Sequence, residues 1–95
     1  MENDRIRKIN KEAKIFKALS NPVRLEVLYC LLDGELCVCE IIQKLEKYEQ
    51  AHISKSLIKL KEAGIVKDRK EGLNVYYSLS MECIKNFILC LDSNL

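Results

Sequence analysis

A mainly α-helical fold with one small β-hairpin is what this sequence predicts. Three observations carry the expectation. Apolar residues recur at steps of three and four through most of residues 4–63, the spacing that gathers them on one face of a helix. Two short β-prone runs replace that period over residues 65–79 and flank a glycine turn, which marks a hairpin. Helical spacing then returns from residue 81 to the end. The predicted order is helix, helix, helix, helix, strand, strand, helix. With 95 residues the chain reads as one domain, 1–95, near the lower end of comfortable size. Hydrophobic residues make up 48% of it, enough for a core with little margin, and self-association would add burial.

Residues 4–19 repeat Ile6, Ile9, Ala13, Phe16 and Leu19 along one face, an amphipathic helix. "SNPVRLEVLYCLLDG" reads as a second helix. Ser20 or Asn21 can cap it, Pro22 suits its first position, and Gly34 follows its end. Val23, Leu25, Leu28, Leu31 and Leu32 form its expected buried side. A short helix over residues 38–47 carries Ile41, Ile42 and Leu45. "YEQAHISKSLIKLKEAGIV" opens on a polar turn and becomes a fourth helix over 50–63, with Ile53, Leu57 and Leu60 inward and Gly64 closing it. Two helices joined by roughly three or four residues suit a helix-turn-helix, here 38–63. Strands at 65–69 and 74–79 enclose a turn at 70–73, where Gly72 supplies the positive φ of a hairpin loop. Ser80 can cap the last helix, and Ile84, Ile88 and Leu91 line one of its faces. No internal repeat, low-complexity tract or linker interrupts the chain.

A helix-turn-helix followed by a basic hairpin is the winged-helix arrangement, with 65–79 as the wing. Charge distribution agrees with a nucleic-acid role. Residues 44–71 hold eight Lys/Arg against five acids, whereas 20–43 hold one against four. The basic surplus falls where a phosphate backbone could use it. Residues near the start of a recognition helix reach base edges in the major groove, which makes Gln50, His52, Ser54 and Lys55 the candidate readers. Lys59 and Lys61 are candidate phosphate contacts, as are Arg69 and Lys70, expected at the tip of the wing. Ile58 falls on the outward side and does not fit a polar reading face. A dimeric protein-interaction module with the same fold is the alternative to double-stranded DNA as partner. Steep loss of duplex affinity with salt separates the two.

Several classes are disfavoured. One His, no Gly-rich phosphate loop and no paired catalytic carboxylates argue against an enzyme. No run of about 18 apolar residues is present to span a membrane. The N-terminal stretch "MENDRIRKINKEAK" has no apolar signal core, so a cytoplasmic location is expected. Five cysteines in a reducing cytosol point to free thiols, soft-metal ligands or redox sensing rather than a disulfide framework.

"FKALSNPVRLEVLYCLLDGELCVCEI" and "ISKSLIKLKEAGIVKDRKEGLNVYYSLS" together resemble the ArsR/SmtB family of metal-responsive repressors, from about Phe16 to Ser80. The resemblance implies a homodimer that pairs its first and last helices, 1–19 and 80–95. Ile6, Ile9, Phe16, Cys83, Phe87 and Cys90 are then the candidate interface residues. It implies an inverted-repeat operator, released when effector binds. Within "ELCVCE" it also implies a metal box at Cys37 and Cys39, where two sulfurs can hold one soft ion such as As(III), Cd(II) or Pb(II). The start of a helix lowers a thiol pKa, which favours the thiolate that binds metal. The pair would sit where the third helix begins, so a bound ion could bias the helix that supports the reader.

This chain departs from the family pattern in three ways. The third cysteine common in arsenic-sensing members is replaced by Ile42, residues 1–29 hold no cysteine, and the last helix lacks the family's Asp and His ligands. Met81, Cys83 and Asn94 occupy those last-helix positions. Cys30, Cys83 and Cys90 are possible extra thiols, although Cys30 lies among leucines. Cys83 and Cys90 stand roughly 10 Å apart along a helix axis, too far to share an ion within one chain. A thiol redox trigger, or no metal effector at all, is the rival reading. A Cys37–Cys39 disulfide is not expected, because two residues so close in a helix bond with difficulty.

Overall fold

A computed structural model describes residues 2–95; Met1, the first residue of the predicted 1–95 span, lies outside the described residues. The elements are α1 (Glu2–Leu19), α2 (Pro22–Cys30), β1 (Leu36–Cys37), α3 (Val38–Lys44), α4 (Gln50–Glu62), β2 (Val66–Glu71), β3 (Asn74–Leu79) and α5 (Glu82–Asn94). The helices and the hairpin stand where the periodicity placed them, and one element is new. The two residues of β1 pair antiparallel with β3, Leu36 opposite Tyr77 and Cys37 opposite Tyr76. The hairpin is thereby the larger part of a three-stranded sheet in the order β1-β3-β2. A strand of two residues has no period to detect, which is why sequence spacing could not announce it.

The core lies between α2, α3, α4 and the base of the sheet. Val27, Leu28, Ile41, Ile53, Leu60 and Ile65 have no exposed surface. Each such side chain contributes roughly 1.5–3 kcal/mol of hydrophobic stabilisation. Ile53, Leu57 and Leu60 fill the inner stripe of α4 as expected, and the small Ser56 completes it. In α2 the buried set is Val23, Val27 and Leu28, with Leu25 and Leu32 only half-buried. Leu31 keeps its predicted burial at 2% exposed although α2 stops one residue before it. The last turn of the helix gives way to tight turns in which the Leu31 N–H donates to Leu28 and the Gly34 N–H to Leu31, with Gly34 at φ +137°. Asn21, not Ser20, is the cap, and its Oδ1 accepts from the Arg24 N–H at 3.1 Å.

Three boundaries differ from expectation. α3 ends at Lys44, and residues 45–49 form the turn, since buried Leu45 caps the helix and accepts a hydrogen bond from the Tyr48 N–H at 2.9 Å. Met81, not Ser80, is the N-cap of α5. Ser80 instead extends the sheet, its N–H donating to Ile65 at 2.9 Å. The hairpin loop is tighter than drawn from sequence: Glu71 pairs with Asn74, leaving Gly72 and Leu73 to turn the chain, with Gly72 at φ +63°.

The thinnest coverage lies on α1 and α5. Ile6, Ile9, Phe16, Phe87 and Leu91 are all exposed, and Phe16 meets Phe87 edge to face, ring centroids 6.1 Å apart. Of the three residues expected on one face of α5, Ile84 and Ile88 are buried and Leu91 is exposed. An apolar surface of this kind, shared by two helices, is a marker of association.

Candidate nucleic-acid interface and thiol site

The side of α4 opposite its buried stripe carries His52, Ser54, Lys55, Ile58 and Lys59, all exposed, with Gln50 at its first turn. Ile58, the residue that fitted the polar scheme poorly, indeed points outward and is 53% exposed. The turn before this helix carries a cluster that sequence spacing did not reveal. Glu26 on α2 accepts a hydrogen bond from the Tyr48 hydroxyl and pairs with Lys47 Nζ at 2.8 Å. Lys47 and Tyr48 together hold the Glu26 carboxyl below the usual carboxylate range, and the same bond to Glu26 raises the Tyr48 hydroxyl. Tyr48 also meets the His52 ring edge to face, centroids 5.8 Å apart. The turn is thus tied to α2 by residues 22 positions apart, a distance over which no local pattern operates.

The wing requires a correction. Arg69 is not at the tip but in the body of β2, opposite Tyr76. Its Nε and Nη2 donate to the two Glu35 oxygens at 2.9 and 2.7 Å, and its guanidinium lies over the Tyr76 ring, 4.6 Å from the centroid. Such a two-pronged pair fixes the arginine and pulls the Glu35 carboxyl down from its ordinary value. Arg69 therefore braces the wing. Lys61 is likewise engaged, with Asp68 at 2.9 Å. Lys70, one residue nearer the loop, is exposed and makes no ion pair among the described residues.

Cys37 ends β1 and caps α3, with extended backbone at φ −77°, ψ 158°. Its N–H donates to Glu40 Oε1 at 3.0 Å, the reach-back half of a capping box. Cys37 is 7% exposed and Cys39 is at the surface. Their sulfurs are joined in a disulfide, with the Cα atoms 5.4 Å apart. The expectation that the pair would bond only with difficulty assumed both residues in the helix; Cys37 instead precedes it on extended backbone, and the 5.4 Å Cα separation suits a disulfide. Sulfurs able to meet in this way are also able, once reduced, to share one soft ion. A groove of about 420 Å³ opens beside them, lined by Val38, Ile42, Gln50, Leu73, Asn74 and Val75.

The other thiols are elsewhere. Cys30 opens on separate grooves with Glu26, Asp33, Gly34 and Lys44, and burial pushes its thiol up, away from the metal-binding thiolate. Cys83 and Cys90 are exposed on α5, the helix of the apolar face. Among the described residues no three His, Cys, Asp or Glu side chains cluster as a metal site.

An exposed polar helix presented by a helix-turn-helix, beside a braced hairpin, defines a winged-helix DNA-binding domain. Residues 21–68 match the family described as bacterial regulatory protein, arsR family. The cadmium resistance transcriptional regulatory protein CadC homolog of Staphylococcus aureus is 48% identical over 77 residues, 80% of this chain and 63% of that one. An HTH-type transcriptional regulator of Methanocaldococcus jannaschii is 45% identical over 86 residues, 90% of this chain and 96% of that one. Among solved structures, the homodimeric winged helix-turn-helix DNA-binding domain Mb0332 of Mycobacterium bovis superposes with a TM-score of 0.84 at 28% identity, covering 94% of this chain and 82% of that one. The chain belongs to the arsR family of DNA-binding transcription regulators and is not an enzyme. No helix among the described residues is long and apolar enough to cross a membrane.

Proposed function

We propose that the protein is a homodimeric repressor that leaves an inverted-repeat operator when a thiophilic metal or metalloid engages reduced Cys37 and Cys39. One observation carries this reading: the thiol pair shares its groove with Gln50 of the recognition helix and with Asn74 and Val75 of the wing. Anything held by the two sulfurs lies against both DNA-facing elements. A bound ion supplies two strong sulfur bonds that pin Cys37 to Cys39. The chain couples that constraint to DNA, since Cys37 is at once the end of β1 and the cap of α3. The arsR-family relative named for cadmium resistance and the exposed faces of α1 and α5 support the effector class and the dimer respectively.

In this reading Gln50, His52, Ser54 and Lys55 read base edges, and Ile58 meets a thymine methyl. Lys59 and Lys70 touch phosphates, and each lysine removed lowers the slope of log affinity against log salt by about 0.9. The deciding measurement is duplex binding by the wild type and by Cys37→Ser/Cys39→Ser, with As(III), Cd(II), Pb(II), Zn(II) or oxidant. A thiophilic ion is expected to weaken wild-type binding at least tenfold and to leave the double variant unmoved. Equal responses in both proteins would transfer the trigger to Cys30, Cys83 or Cys90.

A second reading, a redox trigger, is favoured by the Cys37–Cys39 disulfide itself. It requires the oxidised and reduced forms to differ in duplex affinity with no metal present. Chelated, metal-free protein titrated with oxidant separates it from the first.

A further inference from the structure

We propose that the cleft where α1, α2 and α4 meet is a second phosphate site for DNA, gripping the backbone that flanks the bases read by α4. The inference rests on DNA binding alone and not on the thiol trigger. Helix α1 packs on both α2 and α4, and the cleft between them has a volume of about 340 Å³. Lys14 and Lys17 of α1, Arg24 of α2 and Lys59 of α4 line it, against one acid, Glu62. None of the five makes an ion pair among the described residues. The C-terminal ends of α1 and α4 both border the cleft, and each carries roughly half a negative charge. With Glu62 they offset about two of the four cations, so about two positive charges are left for an anionic ligand to neutralise.

Arg24 is the preorganised member of the set. Its Nε donates to the Ala18 carbonyl at 2.6 Å and its Nη2 to the Lys17 carbonyl at 3.4 Å, which fastens the guanidinium to the end of α1. The remaining N–H donors of its planar fork suit phosphate oxygens. The three lysines are exposed. Two features select DNA as the occupant. Lys59 belongs both to the cleft and to the outward face of α4, four residues after Lys55, so the cleft continues the reading face. Lys59 also lies nine residues beyond Gln50, roughly 13.5 Å along the helix axis. The major groove is about 8.5 Å deep and about 12 Å wide. A helix that enters the groove by its first turn therefore brings Lys59 out at the rim, where the phosphates run, and Lys14, Lys17 and Arg24 extend the contact along them.

The test compares the wild type with Lys14→Gln/Lys17→Gln, as the reduced, metal-free full chain, on a duplex selected by the wild type from a random pool. Lys8→Gln/Lys11→Gln removes the same charge from exposed positions of α1 outside the cleft, and Lys14→Arg/Lys17→Arg keeps the charge within it. Affinity is measured over a salt series, and phosphate-ethylation interference maps the backbone contacts. The expected result is at least a tenfold loss for the Gln pair in the cleft, on selected and scrambled duplexes alike, because phosphate contacts carry no sequence information. Its log–log salt slope falls by about 3.6, at about 0.9 for each of the four lysines a dimer loses. Interference by phosphates outside the bases read by α4 disappears with it. The control pair loses less than twofold, and the Arg pair binds like the wild type. A cleft Gln pair that binds like the wild type overturns the inference, and equal losses from both Gln pairs overturn it by reducing the effect to net charge. A loss in the Arg pair, or flanking phosphates that tolerate ethylation in the wild type, does the same. Calorimetry with pyrophosphate supplies the last arm: one ion bound per subunit through Lys14 and Lys17, with duplex affinity unmoved, overturns it in favour of a free anion. Each of these outcomes leaves the thiol reading intact.

Discussion

Glu35 stands beside the thiol box and looks like one more surface acid, yet it holds the wing through Arg69. That pair ties part of the acid stability to one residue, as the Lys47 and Tyr48 contacts tie another part to Glu26. Arg69, chiefly by its hydrogen bonds and also by its charge, holds the folded-state pKa of Glu35 below the ordinary carboxylate value. A lowered carboxyl stabilises the fold above its unfolded pKa, and the contribution is lost as pH falls through the lowered folded value. Glu35→Gln should therefore reduce stability at neutral pH and flatten the acid limb below about pH 4.5, read by chemical denaturation at a series of pH values. An unchanged acid limb would mean the pair contributes nothing. At this scale the thiols of the candidate site were legible, because Cys-x-Cys is a local pattern. The brace was not. Glu35 and Arg69 are 34 residues apart, and the turn at 70–73 drew Arg69 to the tip by counting a loop two residues too long.

The elements show the same division between local and distant causes. α2 could be read because its start is chemical: Asn21 accepts from the Arg24 N–H, and Pro22 follows. Asn21→Ala should cost about 1 kcal/mol, seen as a fall of several degrees in Tm, whereas Ser20→Ala should cost far less. Equal losses at the two positions would reassign the cap. The recognition helix was legible from Ile53, Leu57 and Leu60, which repeat at helical spacing. Its anchorage to α2 through Tyr48 and Glu26 was not, and neither was β1, which owes its existence to Tyr76 and Tyr77 lying opposite. Tyr48→Phe should leave the helices intact by circular dichroism and weaken duplex binding, since the turn before α4 loses its tie. A variant that binds like wild type would show that packing of Ile53 and Leu57 alone sets the angle.

At the scale of the molecule, Ile6, Ile9 and Phe16 of α1 and Phe87, Leu89 and Leu91 of α5 stay exposed within one chain. They are on the two helices expected to pair between subunits. Ile9 is 51% exposed and does not line the thiol groove, so Ile9→Asp is a probe of assembly. It should convert the protein to monomer in sedimentation equilibrium and sharply lower affinity for a two-half-site duplex, because the second half-site is no longer bound by a linked reader. A dimer that survives the substitution would place the interface elsewhere. The basic surplus of residues 44–71 acquires its meaning here too, since a dimer doubles the phosphate contacts and with them the salt slope.

The pairing of Cys37 with Tyr76 across β1 and β3 has an optical consequence. The chain contains no tryptophan and four tyrosines, so its ultraviolet emission is tyrosine emission alone. One emitter lies directly across the ladder from a sulfur of the thiol pair, under the guanidinium of Arg69. Thiolates and heavy ions quench tyrosine at contact range. Intrinsic tyrosine emission is therefore the expected label-free readout of a change of state at Cys37.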